Sequence, residues 1–368
     1  MVIEDLALLF VRGLGSRGIV HLIEMYGSAE EIYNTPLDLL IEEAGLRRDI
    51  AECIAAREGM REAEAEARYC SAKKICAIAA TDADYPEPLR ETSDRPHVIF
   101  VKGNVDALHL RTLSVVGTRN ASPSGTLVTD KLIGDLAPLI PDLCIVSGLA
   151  YGIDGASHRA ALSHNVATVA VLADVLPNIS PAAHRNIAEQ ILQSGGALVS
   201  ELHSQTKQNG QLYIARNRII AGLSMGTLVV ESPASGGSIA TADIVDGYNR
   251  TLMAVPGRVN DTNSFGTNNL IRSGKARLVM TARDIIEDLG WRVKEQKVEE
   301  VVDDFTDNLA PNEQRVYNAL KEHQTLDISG LSAATGLTLG ELTLLIMDLE
   351  MRGVINVLQG NACELNKR

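Results

Sequence analysis

The sequence predicts an α/β protein: a Rossmann-like, doubly wound parallel sheet, preceded by a small helical domain and followed by a winged helix. Three observations carry that expectation. Residues 110–290 alternate short, β-branched apolar runs with helical stretches, as a parallel sheet covered on both faces requires. The glycine-rich motifs of this region fall where a strand pattern ends and a helix pattern begins, the edge at which such sheets bind ligands. The last 58 residues, 311–368, pair two helical patterns across a TGLT turn and then show a hairpin pattern.

Taken in order, residues 1–68 read as helical, with breaks at Gly13-Leu14-Gly15 and at AGLRR, 44–48. A glycine-X-glycine turn between helices resembles a helix-hairpin-helix, or SAM-like, unit whose backbone N–H groups meet phosphate; Arg12 and Arg17 flank it here. The alternative is a helical domain that contacts protein or nothing. Residues 69–109, with short apolar runs and repeated prolines, read as an extended segment attached to the next domain, so that the sheet domain spans 69–290. Strand patterns follow at LSVVG (113–117), CIVSG (144–148), ATVAVLA (167–173), ALVSEL (197–202), TLVVES (227–232), TLMAVPG (251–257) and ARLVM (276–280). Residues 291–310 form an acid-rich linker, and Pro311 opens the winged helix.

Composition narrows the function classes. No apolar run approaches the roughly 20 residues that cross a bilayer, and acids precede the first apolar stretch, so the expectation is a cytoplasmic protein with no membrane partner. The five cysteines are scattered, without zinc-site spacing, and no metal site is expected. The net charge of −13 argues against nucleic acid until it is divided. Residues 1–109 carry −8, residues 110–290 carry zero and residues 291–368 carry −5. His203 to Val230 contains Lys207, Arg216 and Arg218 and no acid, and Gly247 to Arg283 holds six basic residues and one acid. Over a Debye length of about 8–10 Å the local field outweighs the total. Salt bridges to carboxylates, or a scattered solvated surface, are the alternative reading of these cations.

Three strand-to-helix loops then stand out: VVGTRNASPSG (115–125), SGLAYGIDGASHRAAL (147–162) and ESPASGGSIATA (231–242). Helix starts with free N–H groups attract anions, so three at one sheet edge predict a phosphate-binding surface. None has the G-x-G-x-x-G or Walker spacing, which disfavours an enzyme using NAD or ATP, and no cofactor is expected. Tyr151, Tyr213, Tyr248 and Phe265 are the candidates for base stacking. Asp154 and His158 share a helix face, either as an acid/base pair or as an N-cap and a packed histidine. The helix pattern TLGELTLLIMDLEMRG carries acids where a groove-reading helix shows Arg, Lys, Asn or Gln, which favours protein contact or a structural role.

Val116-Gly117-Thr118-Arg119, Ser147 to Asp154, Arg216 to Ser224, Ser238 to Ala242, Ala254 to Gly257 and Ser264 to Ile271 appear in one fixed order. That ordered set resembles the DNA-processing protein A (DprA/Smf) family. The resemblance implies a non-enzymatic protein that binds single-stranded DNA without sequence preference, forms a homodimer and contacts the RecA recombinase in natural transformation and recombination. By motif position the DNA-binding candidates are Arg119, Ser147, Gly148, Arg216, Asn217, Arg218, Gly237 and Ser238; the charge reading adds Arg258 and Lys275. The chain departs from the pattern at Ala173, Ser180 and His184, where Gly, Tyr and Asn are usual, at Tyr213-Ile214 for Phe-Pro, and at Gly236-Gly237-Ser238 for Ser-Gly-Ser. Two other functions are weighed. One is a nucleoside-monophosphate N-glycosidase, whose Gly-Gly-x-Gly-Thr-x-x-Glu loop is here Gly236 to Asp243 without the third glycine or the Glu. The other is an adaptor whose acidic ends bind protein and whose middle binds nothing.

Overall fold

The structure, a computed structural model, describes residues 1–293, 309–352, 354–358 and 362–365. The linker expected at 291–310 lies mostly outside the described residues. Two compact units divide near residue 294.

In the first unit the strands are β1 (Cys76–Ala79), β2 (Val98–Gly103), β3 (Arg111–Val116), β4 (Leu143–Ser147), β5 (Ala167–Val171), β6 (Ala197–Ser200), β7 (Gly226–Val229), β8 (Thr251–Ala254) and β9 (Arg277–Leu278). They form one sheet in the order β1-β2-β6-β5-β4-β3-β7-β8-β9. From β6 to β9 all neighbours are parallel. The chain runs outward from β3 to β6 on one side, then returns to lay β7 on the other side of β3. That reversal opens a crevice beyond the carboxyl ends of β3 and β7. The expected extended segment supplies β1 and β2, which add to the β6 edge as antiparallel strands.

The alternation of side chains sends strand residues to two faces. Val116, Val146, Val169 and Val199 pack under the helices Gln211–Leu223 and Gly237–Gly247. Leu113, Val115, Ile145 and Leu228 pack under Pro123–Leu136 and Ile153–Ser163. On that second face the amino-terminal helices join the sheet rather than standing apart. Leu6, Leu22, Ile32 and Ile54 share one core with Val98, Phe100, Ala170 and Leu198, and the helix Met60–Lys73 runs straight through position 68. Polar ties reinforce the seam. The Asp5 carboxylate lies 2.9 Å from His97 Nε2, both fully enclosed, and buried Glu66 accepts the Ser204 N–H at 3.0 Å. Sequence periodicity alone does not reveal this, because a helix face buried on a neighbour and one buried on a sheet have the same pattern.

The second unit contains the helices Pro311–His323, Ile328–Thr335 and Leu339–Met351 and the strands β10 (Thr325–Asp327), β11 (Ile355–Val357) and β12 (Ala362–Leu365), ordered β10-β12-β11. Asp327 and Thr338 cap the second and third helices, each accepting a backbone N–H three residues on. Val316, Leu320, Leu331, Leu342, Leu349 and Ile355 form its core. Among the described residues no single helix is long and apolar enough to cross a bilayer.

The shared core makes a prediction. Phe100→Ala removes a fully buried ring at the seam and lowers stability by about 3–5 kcal/mol. Urea unfolding followed by the fluorescence of the single tryptophan, buried Trp291 on the far side of the same face, records that loss if helices and sheet unfold as one. An unmoved Trp291 midpoint would show that they do not.

Candidate nucleic-acid interface

The three loops meet at the crevice, but their helix starts are not equivalent. After β3, Ser122 caps the helix Pro123–Leu136 by accepting the Gly125 N–H at 2.9 Å. The Glu231 carboxylate, from just past β7, accepts the Ser122 N–H at 2.9 Å and the Ser122 hydroxyl at 2.5 Å. The protein thus fills this anion site with its own side chain. After β4, the helix Ile153–Ser163 begins at Gly152, whose φ of +77° and contact with the Thr118 carbonyl leave no room for a Cβ. Its first N–H, on Ile153, donates to Thr118 O at 3.2 Å, so this start is partly used as well. After β7, Gly237, Ser238 and Ile239 open the helix Gly237–Gly247, and their N–H groups have no partner among the described residues. Of the three expected anion sites, one stands fully open.

That open start borders a cavity of about 380 Å³ whose lining includes Gly117, Thr118, Arg119, Tyr213, Asn217 and Ser238. Exposed Arg119 lies across it with its guanidinium 5.9 Å from the Tyr213 ring centroid. A smaller cavity of about 170 Å³ continues past Arg119 and Tyr213 to Tyr151, Ala173 and Ser180. There the Ser180 and Tyr213 hydroxyls are 3.2 Å apart, and Tyr151 meets His184 edge-on at 5.1 Å. Three of the departures from the family pattern, Ala173, Ser180 and Tyr213, therefore line one small pocket, and a fourth, His184, borders it.

The expected site residues divide sharply. Arg119, Asn217, Gly237 and Ser238 stand together on the cavity wall. Ser147 lies below it, fully buried, donating its hydroxyl to Val115 O at 2.7 Å. Arg216 also lines the cavity but is only 5% exposed. Its Nη1 donates to Gly148 O at 2.7 Å and to Val171 O, which ties the ends of β4 and β5 together. Burial lowers its pKa, and the nearby Asp154 charge acts the other way. Gly148 is glycine because a Cβ there would sit 2.5 Å from the Arg216 guanidinium.

Arg218 does not reach the crevice; it is turned away and paired with Glu201, both largely enclosed. Lys275 pairs with Asp243 at 3.1 Å on the surface, and Arg258 lines a separate cavity with Glu231 and Asp261. The stretch from 203 to 230 is free of acids only along the chain, since folding brings Glu201 from the end of β6. The stacking candidates divide too, because Tyr248 bonds Asp94 away from the cavity.

Asp154 and His158 are not an acid/base pair. His158 is fully buried with Nδ1 2.7 Å from Thr168 Oγ1, and burial pushes its pKa down to about 3. Burial raises the Asp154 pKa, opposed chiefly by Arg216. The N-cap is Gly152, not Asp154. Among the described residues no His, Cys, Asp or Glu cluster is placed to hold a metal ion. The role of Glu231 escaped the sequence reading, although an acid just after a strand and before a glycine loop was visible in ESPASGG.

The packing of Gly148 against Arg216 is testable. Gly148→Ala forces the guanidinium off its two carbonyls and costs about 1–3 kcal/mol by overpacking, measured as a lower urea midpoint; an unchanged midpoint would mean that the brace carries no load.

Comparison with known proteins agrees with this fold. The family described as DNA recombination-mediator protein A matches residues 76–290, over half of the chain, and the DprA winged helix domain matches residues 304–361. Protein Smf of Escherichia coli is 34% identical over 294 residues, covering 79% of this chain and 77% of its own length. The DNA processing protein DprA of Streptococcus pneumoniae is 36% identical over 215 residues, 58% of this chain and 74% of its own. The crystal structure of DprA from Streptococcus pneumoniae superposes with a TM-score of 0.66 at 29% identity, covering 78% of this chain and 98% of that one. DNA processing protein A of Helicobacter pylori, solved to explain its single-stranded DNA binding mode, has the same fold with a TM-score of 0.52 at 24% identity, covering 59% and 95%. With the matched region spanning its whole parallel sheet and its winged helix matched as well, the chain belongs to the DNA recombination-mediator protein A family of DNA-processing proteins.

Proposed function

We propose that this chain binds single-stranded DNA without regard to base sequence, as a homodimer in the cytoplasm, and places a RecA-type recombinase on it during DNA uptake and recombination. The observation that carries the binding step is the open start of the helix Gly237–Gly247 facing Arg119 and Tyr213 across one cavity. Backbone N–H groups and a guanidinium pair with phosphate whatever the base, and an aromatic ring stacks on any base. The Helicobacter pylori relative, described by its single-strand binding, supports the choice of polymer. The recombinase and dimer steps rest on family membership and are read separately, by recombinase filament growth on a coated oligonucleotide and by sedimentation.

The N-glycosidase reading is weakened by Asp243. It takes the position of that loop's Glu, yet it is half exposed and paired with Lys275 instead of lining the cavity.

Fluorescence anisotropy of a labelled oligonucleotide, single- against double-stranded, at two salt concentrations tests the proposal. Binding prefers the single strand and falls steeply with salt. Arg119→Ala weakens it by about tenfold and reduces the log–log salt slope by about 0.7, the share of one phosphate contact. Arg218→Ala, which removes a cation turned away from the crevice, leaves the slope unchanged. A flat salt response, or equal loss from both variants, would sink the proposed site.

A further inference from the structure

The helix Leu339–Met351 in the winged-helix unit has two apolar sides. Leu342, Ile346 and Leu349 are buried in the core. Leu344, Met347 and Met351 are 73%, 62% and 81% exposed. At about 3.6 residues per turn, these three form one stripe directly opposite the buried side, and Gly340 begins it. The same periodicity sets exposed Glu341 and Asp348 along one edge of the stripe and exposed Glu350 along the other. The helix contains no Lys or Arg. Arg352, just beyond it, is engaged by Glu313 at 2.6 Å and Asp348 at 3.0 Å.

A large apolar stripe between two acidic edges selects its partner by charge. Duplex DNA would bring phosphates against the carboxylates and find no donor to read its bases. A second copy would set the same acidic edges against themselves. An anionic lipid surface would be repelled in the same way. Unbranched methionines suit a surface that adapts to an incoming helix.

We propose that this stripe docks a basic amphipathic helix of a protein partner. Apolar side chains of the partner seat on Leu344, Met347 and Met351, and its Lys or Arg residues pair with Glu350 and share the exposed carboxylates of Asp348 and Glu341 with Arg352 and Thr338. The surface belongs to the winged-helix unit and does not depend on the single-strand reading of the sheet.

The test uses the full chain and two dye-labelled synthetic peptides with helical amphipathic spacing, one of leucine and lysine, the other of leucine and glutamate. The lysine peptide binds with salt-weakened affinity, and the glutamate peptide does not. Leu344→Ser combined with Met347→Ser weakens the lysine peptide by about tenfold or more, with an unchanged circular dichroism spectrum because both side chains are exposed. Glu350→Lys weakens the lysine peptide and brings in measurable binding of the glutamate peptide, a reversal that unfolding does not produce. Equal binding of the lysine peptide by wild type and variants would overturn the proposal by placing it elsewhere on an acidic chain. So would self-association, or duplex binding, that disappears with Leu344→Ser and Met347→Ser.

Discussion

A guanidinium shut away from water organises the crevice. Arg216 is 5% exposed and ties Gly148 O to Val171 O, so the carboxyl ends of β4 and β5 are fixed by a single side chain reaching from the helix above them. Burying a charge is costly unless hydrogen bonds and an opposite charge surround it, and Asp154 supplies that charge from the start of the next helix. The arrangement explains the glycine at 148 and the buried carboxylate at 154, while burial itself keeps His158 neutral. What appears in the sequence as a cation for ligand is first a cation for the scaffold. Arg119, by contrast, stands exposed on the cavity wall.

The amino-terminal helices support the same region from the side. Glu66 holds the Ser204 N–H, and the neighbouring His203 ring packs 4.4 Å from Phe10. These contacts fix the segment between β6 and the helix Gln211–Leu223, the element that carries Arg216, Asn217 and, at its start, Tyr213. A helical segment that looks like a separate module in the sequence is therefore part of the foundation under the site.

Much of this was legible in the residues. Strand and helix patterns from 110 to 290 gave the parallel sheet because chain-local periodicity decides them. The glycine loops located the crevice, since only strand ends of such a sheet need them. Arg119 was identified by its place in the first loop, and Tyr213 and Tyr151 by being aromatic in a chain with few aromatics. Long-range pairing was not legible. That Arg218 meets Glu201, that Lys275 meets Asp243 and that Glu231 reaches back to Ser122 depends on which strands become neighbours, which local sequence does not fix.

The Glu231 carboxylate has a consequence for molecules other than nucleic acid. In doubly wound sheets a dinucleotide rests its pyrophosphate on the helix that follows the first strand of the parallel set. Here that seat has a permanent tenant, 7% exposed and bonded to both the backbone and the side chain of Ser122. An incoming cofactor would have to evict a carboxylate and leave it enclosed beside its own phosphates. The architecture of a coenzyme domain is present, but the protein's own carboxylate fills the place on that helix where a pyrophosphate would rest.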